Sequence, residues 1–320
     1  MKNKRVLIIG GTGSVGKTLI RLYQTDNQIR VFSRDEQKQV TLLNADWINK
    51  KSVSFVIGDV KDRESLVYAI ETYKPHVIIN TAALKHVPVC EANPIESVKV
   101  NILGHQNLIE AIQRANHRIE VVIFVSTDKA CKPINVYGMC KSISERLYIE
   151  YAKKQTEVKV CLVRFGNILE SNGSVIPFFK QLLKDKATSL PITDDRMTRF
   201  LISLEQSVAL INWAYENPRS HGKIAVPKLE SFLITDIAKV LTNHYMGDES
   251  AIPTHRIGVR KGEKLHEELI SAEEWMRTEE EENFLIGDEI IRSDAKSYNS
   301  LDVKMDKDKM YEYFKQCGVI

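Results

Sequence analysis

Seven residues near the start of this 320-residue chain, Gly10-Gly11-Thr12-Gly13-Ser14-Val15-Gly16, restrict its fold more than any other stretch. They follow a short apolar run, Arg5-Val6-Leu7-Ile8-Ile9, and open a segment with helical apolar spacing. Glycine at 10 allows a tight turn, at 13 a close approach of backbone to a ligand, and at 16 close helix–strand packing. A helix starting there points unpaired N–H groups at an anion, so Thr12, Ser14 and Val15 are expected with the glycines around a pyrophosphate.

The same rhythm continues. Ile29–Phe32, Val53–Ile57, His76–Ile79, Val121–Val125 and Val158–Val163 are apolar, β-branched runs, as parallel strands covered on both faces should be. Amphipathic stretches such as Ser97 to Arg114 and Ser142 to Lys154 lie between them. This alternation predicts an α/β fold, a Rossmann-like doubly wound parallel sheet. After about Gly166 the rhythm breaks into loops rich in Pro, Asp and Arg. Residues 1–165 are therefore expected to form the dinucleotide-binding domain, with 203–226 returning to it, and 166–320 mainly a smaller α/β substrate lobe. The acidic run from Glu273 to Glu282 reads as a solvated helix face.

The charge is nearly balanced, 45 Lys and Arg against 42 Asp and Glu, which argues against a nucleic-acid or membrane-surface partner. No apolar run reaches the roughly 18 residues that span a bilayer. The five cysteines are scattered and odd in number, as free thiols of a reducing, cytoplasmic protein would be. No metal is expected: His266 and Glu267 lack a second His one helical turn on.

Chemistry concentrates around the fifth apolar run. Tyr137 and Lys141 are four residues apart, hence on one helix face, where an ammonium would lower a phenol pKa of about 10 and let the hydroxyl accept a proton near neutral pH. Just upstream, Ser126-Thr127-Asp128-Lys129 adds an acid and a second base at a strand end. Such a set can run several proton transfers, as a multistep redox enzyme requires. At the end of the second run, Ser33-Arg34, with Lys38 nearby, stands where an acid would hold the ribose of NAD; a guanidinium and a hydroxyl suit the 2′-phosphate of NADP. Asp35 next door could still face the ribose. Gly58-Asp59-Val60 would bring Asp59 near the adenine amino group.

Gly10 to Gly16, Asn80-Thr81-Ala82-Ala83, Ser126-Thr127 and Tyr137 to Lys141 together resemble the extended short-chain dehydrogenases acting on nucleotide sugars. More narrowly, Phe32 to Glu36, Ala83-Leu84-Lys85-His86-Val87-Pro88, Ser126 to Tyr137, Gly173 to Phe179 and Ile192 to Phe200 resemble the bacterial UDP-N-acetylglucosamine 4,6-dehydratases that invert C5, in pseudaminic-acid-type pathways. The resemblance runs from residue 5 to about 270. It implies that Tyr137 takes the O4 proton while Lys141 holds the nicotinamide ribose, that Thr127 orients the O4 hydroxyl, that Lys129 is the base at C5, and that Asp128 is the acid at O6. A neutral lysine base needs its pKa lowered, in part by Lys141. Ala82, Ala83 and Lys85 would line the cofactor, and Lys85, Asn167, Arg196, Arg199, Arg260 and Glu263 the UDP-sugar, with one of Arg196 and Arg199 instead meeting an internal carboxylate. A homo-oligomer, dimer or hexamer, is also implied.

Plainer readings stand beside these. Asp128 and Lys129 could be a solvated ion pair, His86 a packed histidine, and Arg196, Arg199, Arg260 and Glu263 ordinary loop residues. A retaining dehydratase, a relative stopping at the 5,6-ene, a C4 epimerase and a non-catalytic NADP-binding sensor are the competing functions. Tyr137 favours the inverting branch over the retaining one, and Glu170 is atypical enough to reshape the sugar pocket.

Overall fold

The computed structural model describes residues 1–320 other than Asn172 and Glu249. Six parallel strands form its centre: β1 (Arg5–Ile9), β2 (Gln28–Ser33), β3 (Val53–Ile57), β4 (Val77–Asn80), β5 (Val121–Val125) and β6 (Lys159–Val163). Their spatial order is β3-β2-β1-β4-β5-β6, so the winding reverses between β1 and β4, where a crevice opens beyond the strand ends. Helices α1 (Ser14–Tyr23), α2 (Glu36–Leu43), α3 (Arg63–Tyr73), α4 (Val87–Ala92), α5 (Pro94–Val98), α6 (Gly104–Gln113) and α7 (Val136–Lys153) make the crossovers. Alternate β1 residues enter two cores, Leu7 and Ile9 on one face and Val6 and Ile8 on the other. Burial on both faces is why β4 and β5, buried at every residue, are apolar apart from Asn80.

The expected helix from Ser97 to Arg114 is interrupted. After α5 the backbone makes a π-helical turn over Lys99–Leu103, and α6 starts at Gly104. Asn101 inside that turn binds both the N–H (2.9 Å) and the C=O (2.8 Å) of Leu84, and a Cβ on Gly104 would lie 2.7 Å from Val60 Cγ2. The bulge therefore holds the loop after β4 in place.

The later chain builds β7 (Asn167–Ile168), α8 (Val175–Lys184), β8 (Leu190–Ile192), β9 (Thr198–Ile202), α9 (Leu204–Glu216), β10 (Ile224–Val226), β11 (Ser231–Leu233), α10 (Ile234–Met246), β12 (Thr254–Arg256), β13 (Glu268–Ile270), α11 (Ala272–Trp275), β14 (Thr278–Glu280), β15 (Phe284–Ile286), β16 (Tyr298–Asn299) and α12 (Lys307–Gln316). A third core, including Phe179, Phe232, Leu241 and Phe314, joins α8, α10 and α12. Helix α9 packs on the large sheet and strand β10 joins it beside β6. Residues 278–286 join it too, as an antiparallel extension through β14 and β15, so the sheet is mixed at this edge. The acidic run is accordingly no helix face: it spans the end of α11 and strand β14, and Glu274 within it is buried.

Candidate active site

The glycine turn sits at the crevice. Gly10 has φ +77°, and a Cβ there would lie 2.7 Å from the Ala82 Cα; a Cβ on Gly16 would lie 2.4 Å from the Gly11 Cα. The protein's own packing thus requires glycine at both positions. Gly13 differs: its φ is −77°, and an added Cβ would meet only Gly10 O, at 3.4 Å. It forms the N-cap of α1 without any side-chain cap, leaving the first N–H groups of that helix, around Ser14 and Val15, for an external acceptor. This cradle fits a pyrophosphate.

At the ends of β2 and β3 the residues expected to face the nucleotide are already engaged. Gln39 Nε2 donates to Ser33 O (2.8 Å) and Ser33 Oγ (2.9 Å), fixing that hydroxyl. Asp35 caps α2 by accepting from Lys38 N (3.0 Å) and pairs with Lys38 Nζ (2.9 Å), which holds its carboxyl below the usual range. Arg34 is half-exposed, its Nη1 4.0 Å from Asp59 Oδ2, and Lys61 lies 3.7 Å from the same oxygen. Val60 turns its side chain into the core. Thr81 N donates to Ile9 O and Ala82 N to Asn80 Oδ1, tying the Thr81–Ala83 segment to β1 and β4. Lys85 follows in the same loop, its ammonium lowered by burial, and the His86 ring packs where a Cβ on Gly173 would fall.

Helix α7 carries Tyr137 against the turn after β5. A Cβ on Gly138 would come within 2.2 Å of Lys129 O, so glycine beside the tyrosine lets the helix lie directly on Asp128 and Lys129. Asn135 caps that helix, its Oδ1 accepting from Gly138 N (2.8 Å), while its Nδ2 donates to Gly262 O (2.8 Å). The segment with Arg260 and Glu263 is thereby stapled to the start of α7.

Asp128 is fully buried. Its Oδ1 accepts from Thr127 Oγ1 (2.9 Å) and Lys129 Nζ (3.1 Å), and its Oδ2 has no hydrogen-bond partner. The Asp128–Lys129 pair is thus enclosed and not a solvated strand-end pair. Lys129 Nζ also donates to Asn167 Oδ1 (2.9 Å) and stands 3.7 Å from Glu267 Oε1. Burial draws Lys129 down, but Asp128 and Glu267 outweigh it and hold the ammonium above the ordinary lysine value.

The expected influence of Lys141 on these groups takes a different form. Its Nζ donates to Val125 O (2.6 Å) and lies 4.0 Å over the Phe124 ring, turned under the strand. Burial lowers it to about 7, against the pull of Glu145. Burial also raises Tyr137, Asp128 raises it further, and a hydrogen bond with Thr127 works the other way; Lys141 is not among the protein groups that set it. Nor does it lower Lys129.

On the substrate side, Arg196 grips Asp194 with Nε (2.9 Å) and Nη2 (3.0 Å), making it the arginine with the internal carboxylate. Arg199 is buried, its Nη1 donating to Thr198 O (2.8 Å) and Leu265 O (3.2 Å). Arg260 is exposed, with Glu263 accepting from its N–H (3.4 Å). Glu170 has φ +55° and pairs with Lys180.

Three contributors to the site were not legible from spacing. Glu267 comes from the distant chain to Lys129; Asn135 ties two segments; and Arg164, buried behind Ser126, bridges Glu145 of α7 (2.7 Å) and Glu274 of α11 (2.8 Å).

A family described as polysaccharide biosynthesis protein matches residues 6–289. The UDP-N-acetylglucosamine 4,6-dehydratase (inverting) of Campylobacter jejuni is 42% identical over 290 residues, 88% of this chain and 81% of that one. The UDP-glucose 4-epimerase of Rickettsia prowazekii is 38% identical over 286 residues, 87% of this chain and 81% of that one. The X-ray structure of Pen from Bacillus thuringiensis superposes with a TM-score of 0.89 at 31% identity, covering 100% of this chain and 99% of that one. With its glycine turn, its Tyr-Gly helix and the reversed sheet order all in place, this chain belongs to the polysaccharide biosynthesis protein family.

Proposed function

We propose that this chain is an NADP-dependent UDP-N-acetylglucosamine 4,6-dehydratase that inverts C5. The observation that carries the reading is the enclosed Asp128–Lys129 pair, hydrogen-bonded at 3.1 Å, with Asp128 Oδ2 unpartnered and Tyr137 beside it. A bound nicotinamide supplies a reversible hydride acceptor, so no external oxidant is consumed over a turnover.

The residues then divide the proton transfers. Tyr137, whose hydroxyl must first ionise against the burial and the Asp128 charge that raise it, takes the proton from O4 as C4 is oxidised, with Thr127 bonded to that hydroxyl. The ketone at C4 acidifies C5–H. Moving one proton from Lys129 Nζ to Asp128 turns the ion pair into an amine and a carboxylic acid, which are the base and the acid the elimination needs. The amine takes the C5 proton, the acid gives its proton to the departing O6, and water leaves. The pair ends as ammonium and carboxylate, the state in which it began. Lys129 therefore acts as a base without a free-lysine pKa near neutrality. A proton delivered to C5 from the face opposite Lys129, Tyr137 giving back the one it took from O4, inverts that carbon and restores every group to its starting state.

Arg34 supports NADP over NAD, because Asp35 spends its carboxylate on the α2 cap and on Lys38. Exposed Arg260, with Lys85, suits the diphosphate, Glu263 the ribose hydroxyls, and Asn167 and Arg199 the sugar side near Lys129. Among the described residues no helix is long and apolar enough to cross a membrane, and a cytoplasmic homo-oligomer is the expected setting.

Overall similarity does not separate dehydration from C4 epimerisation, since relatives named for each stand at 42% and 38% identity. An epimerase needs Tyr137 but no acid and base at C5 and C6, so Asp128 and Lys129 favour dehydration. Mass spectrometry of the product formed from UDP-N-acetylglucosamine tests this. A sugar nucleotide lighter by one water is expected from the wild type, and none from Tyr137→Phe, which should still bind NADP. A product of unchanged mass would replace the reading with epimerisation.

A further inference from the structure

We propose that Glu267 is a positioning residue that holds Lys129 in its charged form and supplies the counter-charge when Lys129 takes the C5 proton. The catalytic half of this inference rests on the dehydratase reading; the electrostatic half does not. Glu267 is 3% exposed and precedes β13, far from the turn after β5 in sequence. Its backbone is clamped on both sides by buried Ser300: Glu267 N donates to Ser300 Oγ (2.8 Å) and Ser300 N donates to Glu267 O (2.8 Å). Ser300 Oγ is in turn 2.7 Å from Thr198 Oγ1.

The side chain is treated differently. Oε1 lies 3.7 Å from Lys129 Nζ and Oε2 3.7 Å from Lys264 Nζ, both beyond hydrogen-bond length, and Oε2 has no hydrogen-bond partner. A buried carboxylate serving only to hold structure would have its oxygens hydrogen-bonded. A fixed backbone with an unbonded, buried charge beside two ammonium groups presents a field instead.

Lys129 Nζ directs two N–H groups to Asp128 Oδ1 (3.1 Å) and Asn167 Oδ1 (2.9 Å), and faces Glu267 besides. Arg199 acts on it with the opposite sign. Lys264 is anchored on Cys131 O (2.7 Å), and the His266 ring, bonded to Thr198 Oγ1 (2.8 Å), is held towards its neutral form by burial and by Arg199. Tyr137 touches the cluster through Asp128. Two carboxylates thus face Lys129, and their duties separate during elimination. When Asp128 carries the proton destined for O6, Glu267 is the carboxylate left to stabilise the ammonium formed as Nζ bonds the C5 proton. The C–H electron pair goes to the enolate, and no other reactant is required.

The test is an NMR titration of full-length protein carrying ¹³C-labelled lysine, with the Lys129 signal assigned from Lys129→Arg. Glu267→Gln should lower the Lys129 midpoint by about one pH unit or more, the effect of removing a charge at this range. Glu267→Asp, which keeps the charge one methylene further back, should fall between. In D₂O, Glu267→Gln should also slow deuterium entry at C5 of UDP-N-acetylglucosamine by about tenfold or more, with KM and NADP affinity little changed. An unmoved Lys129 midpoint in both variants, or a loss confined to KM or to melting temperature, overturns the proposal. The titration uses no sugar, so failure of the wild type to turn over this substrate would remove the dehydratase reading while Glu267 was still being judged on the midpoint.

Discussion

Arg164 makes the most demanding stability test. It is 1% exposed, yet it binds Glu145 through Nε (2.9 Å) and Nη2 (2.7 Å), Glu274 through Nη1 (2.9 Å) and Nη2 (2.8 Å), and Leu269 O through Nη1 (2.9 Å). One guanidinium therefore joins the end of β6, helix α7 and the segment around α11. Replacing it with Met keeps an apolar stem but leaves two buried carboxylates facing each other. Breaking such a pair costs about 3–5 kcal/mol. The pH dependence should reverse as well. In the wild type, burial raises Glu274 but Arg164 outweighs it and holds the carboxyl at about 2. A folded value below the unfolded one gives stability that is present above about pH 4.3 and lost as pH falls towards 2, so this group contributes evenly between pH 5 and 8. Without Arg164, burial is opposed only by the lesser pull of the Ser271 N–H and of Arg277, so the folded value should rise above the unfolded one and stability should fall as pH rises. Urea unfolding of Arg164→Met at pH 5 and pH 8 measures both effects. We expect a loss of about 3–5 kcal/mol at pH 8 and a clearly smaller one at pH 5. A loss below about 1 kcal/mol, or one equal at the two pH values, would refute the reasoning.

Lys141 carries a burial cost at its ordinary charge, its folded value of about 7 lying below the unfolded value near 10.5. That cost is complete below about pH 7 and is relieved as pH climbs towards the unfolded value. Lys141→Met should therefore stabilise the protein by about 2–4 kcal/mol at pH 6 in thermal melts, with the gain shrinking by pH 10, while turnover is lost. Arg34→Ala should raise the KM for NADP by about tenfold or more and leave that for NAD nearly unchanged, as removal of a charged phosphate contact does; equal losses with both cofactors would make Arg34 a surface residue.

Much of the fold was legible because the residues that specify it are neighbours in sequence. The run Arg5–Ile9 and the turn at Gly10 to Gly16 encode a strand, a tight turn and a helix start within a dozen positions, and Tyr137 to Lys141 encodes one helix face. The π-helical turn at Lys99–Leu103 was hidden, because helical periodicity continues across it and the cause lies in Leu84 and Val60. The acidic run misled for a related reason. Charge composition reads as solvent exposure, but Glu274 meets a buried cation 110 residues away. Strands β14 and β15 are three residues each, too short for a period of two to stand out, and their place is fixed by pairing with β10. Candidate catalytic residues could be named from local motifs; the groups that tune them, Glu267 on Lys129 and burial on Lys141, come from packing that no spacing reveals.

Proton NMR of the protein acting on UDP-N-acetylglucosamine in D₂O addresses the dehydratase reading most directly. Inverting dehydration requires a 6-deoxy-4-keto sugar nucleotide with deuterium at C5 and a C5 coupling pattern changed by inversion. A C4 epimer that keeps protium at C5, or a deuterated product with the original C5 configuration, would contradict it.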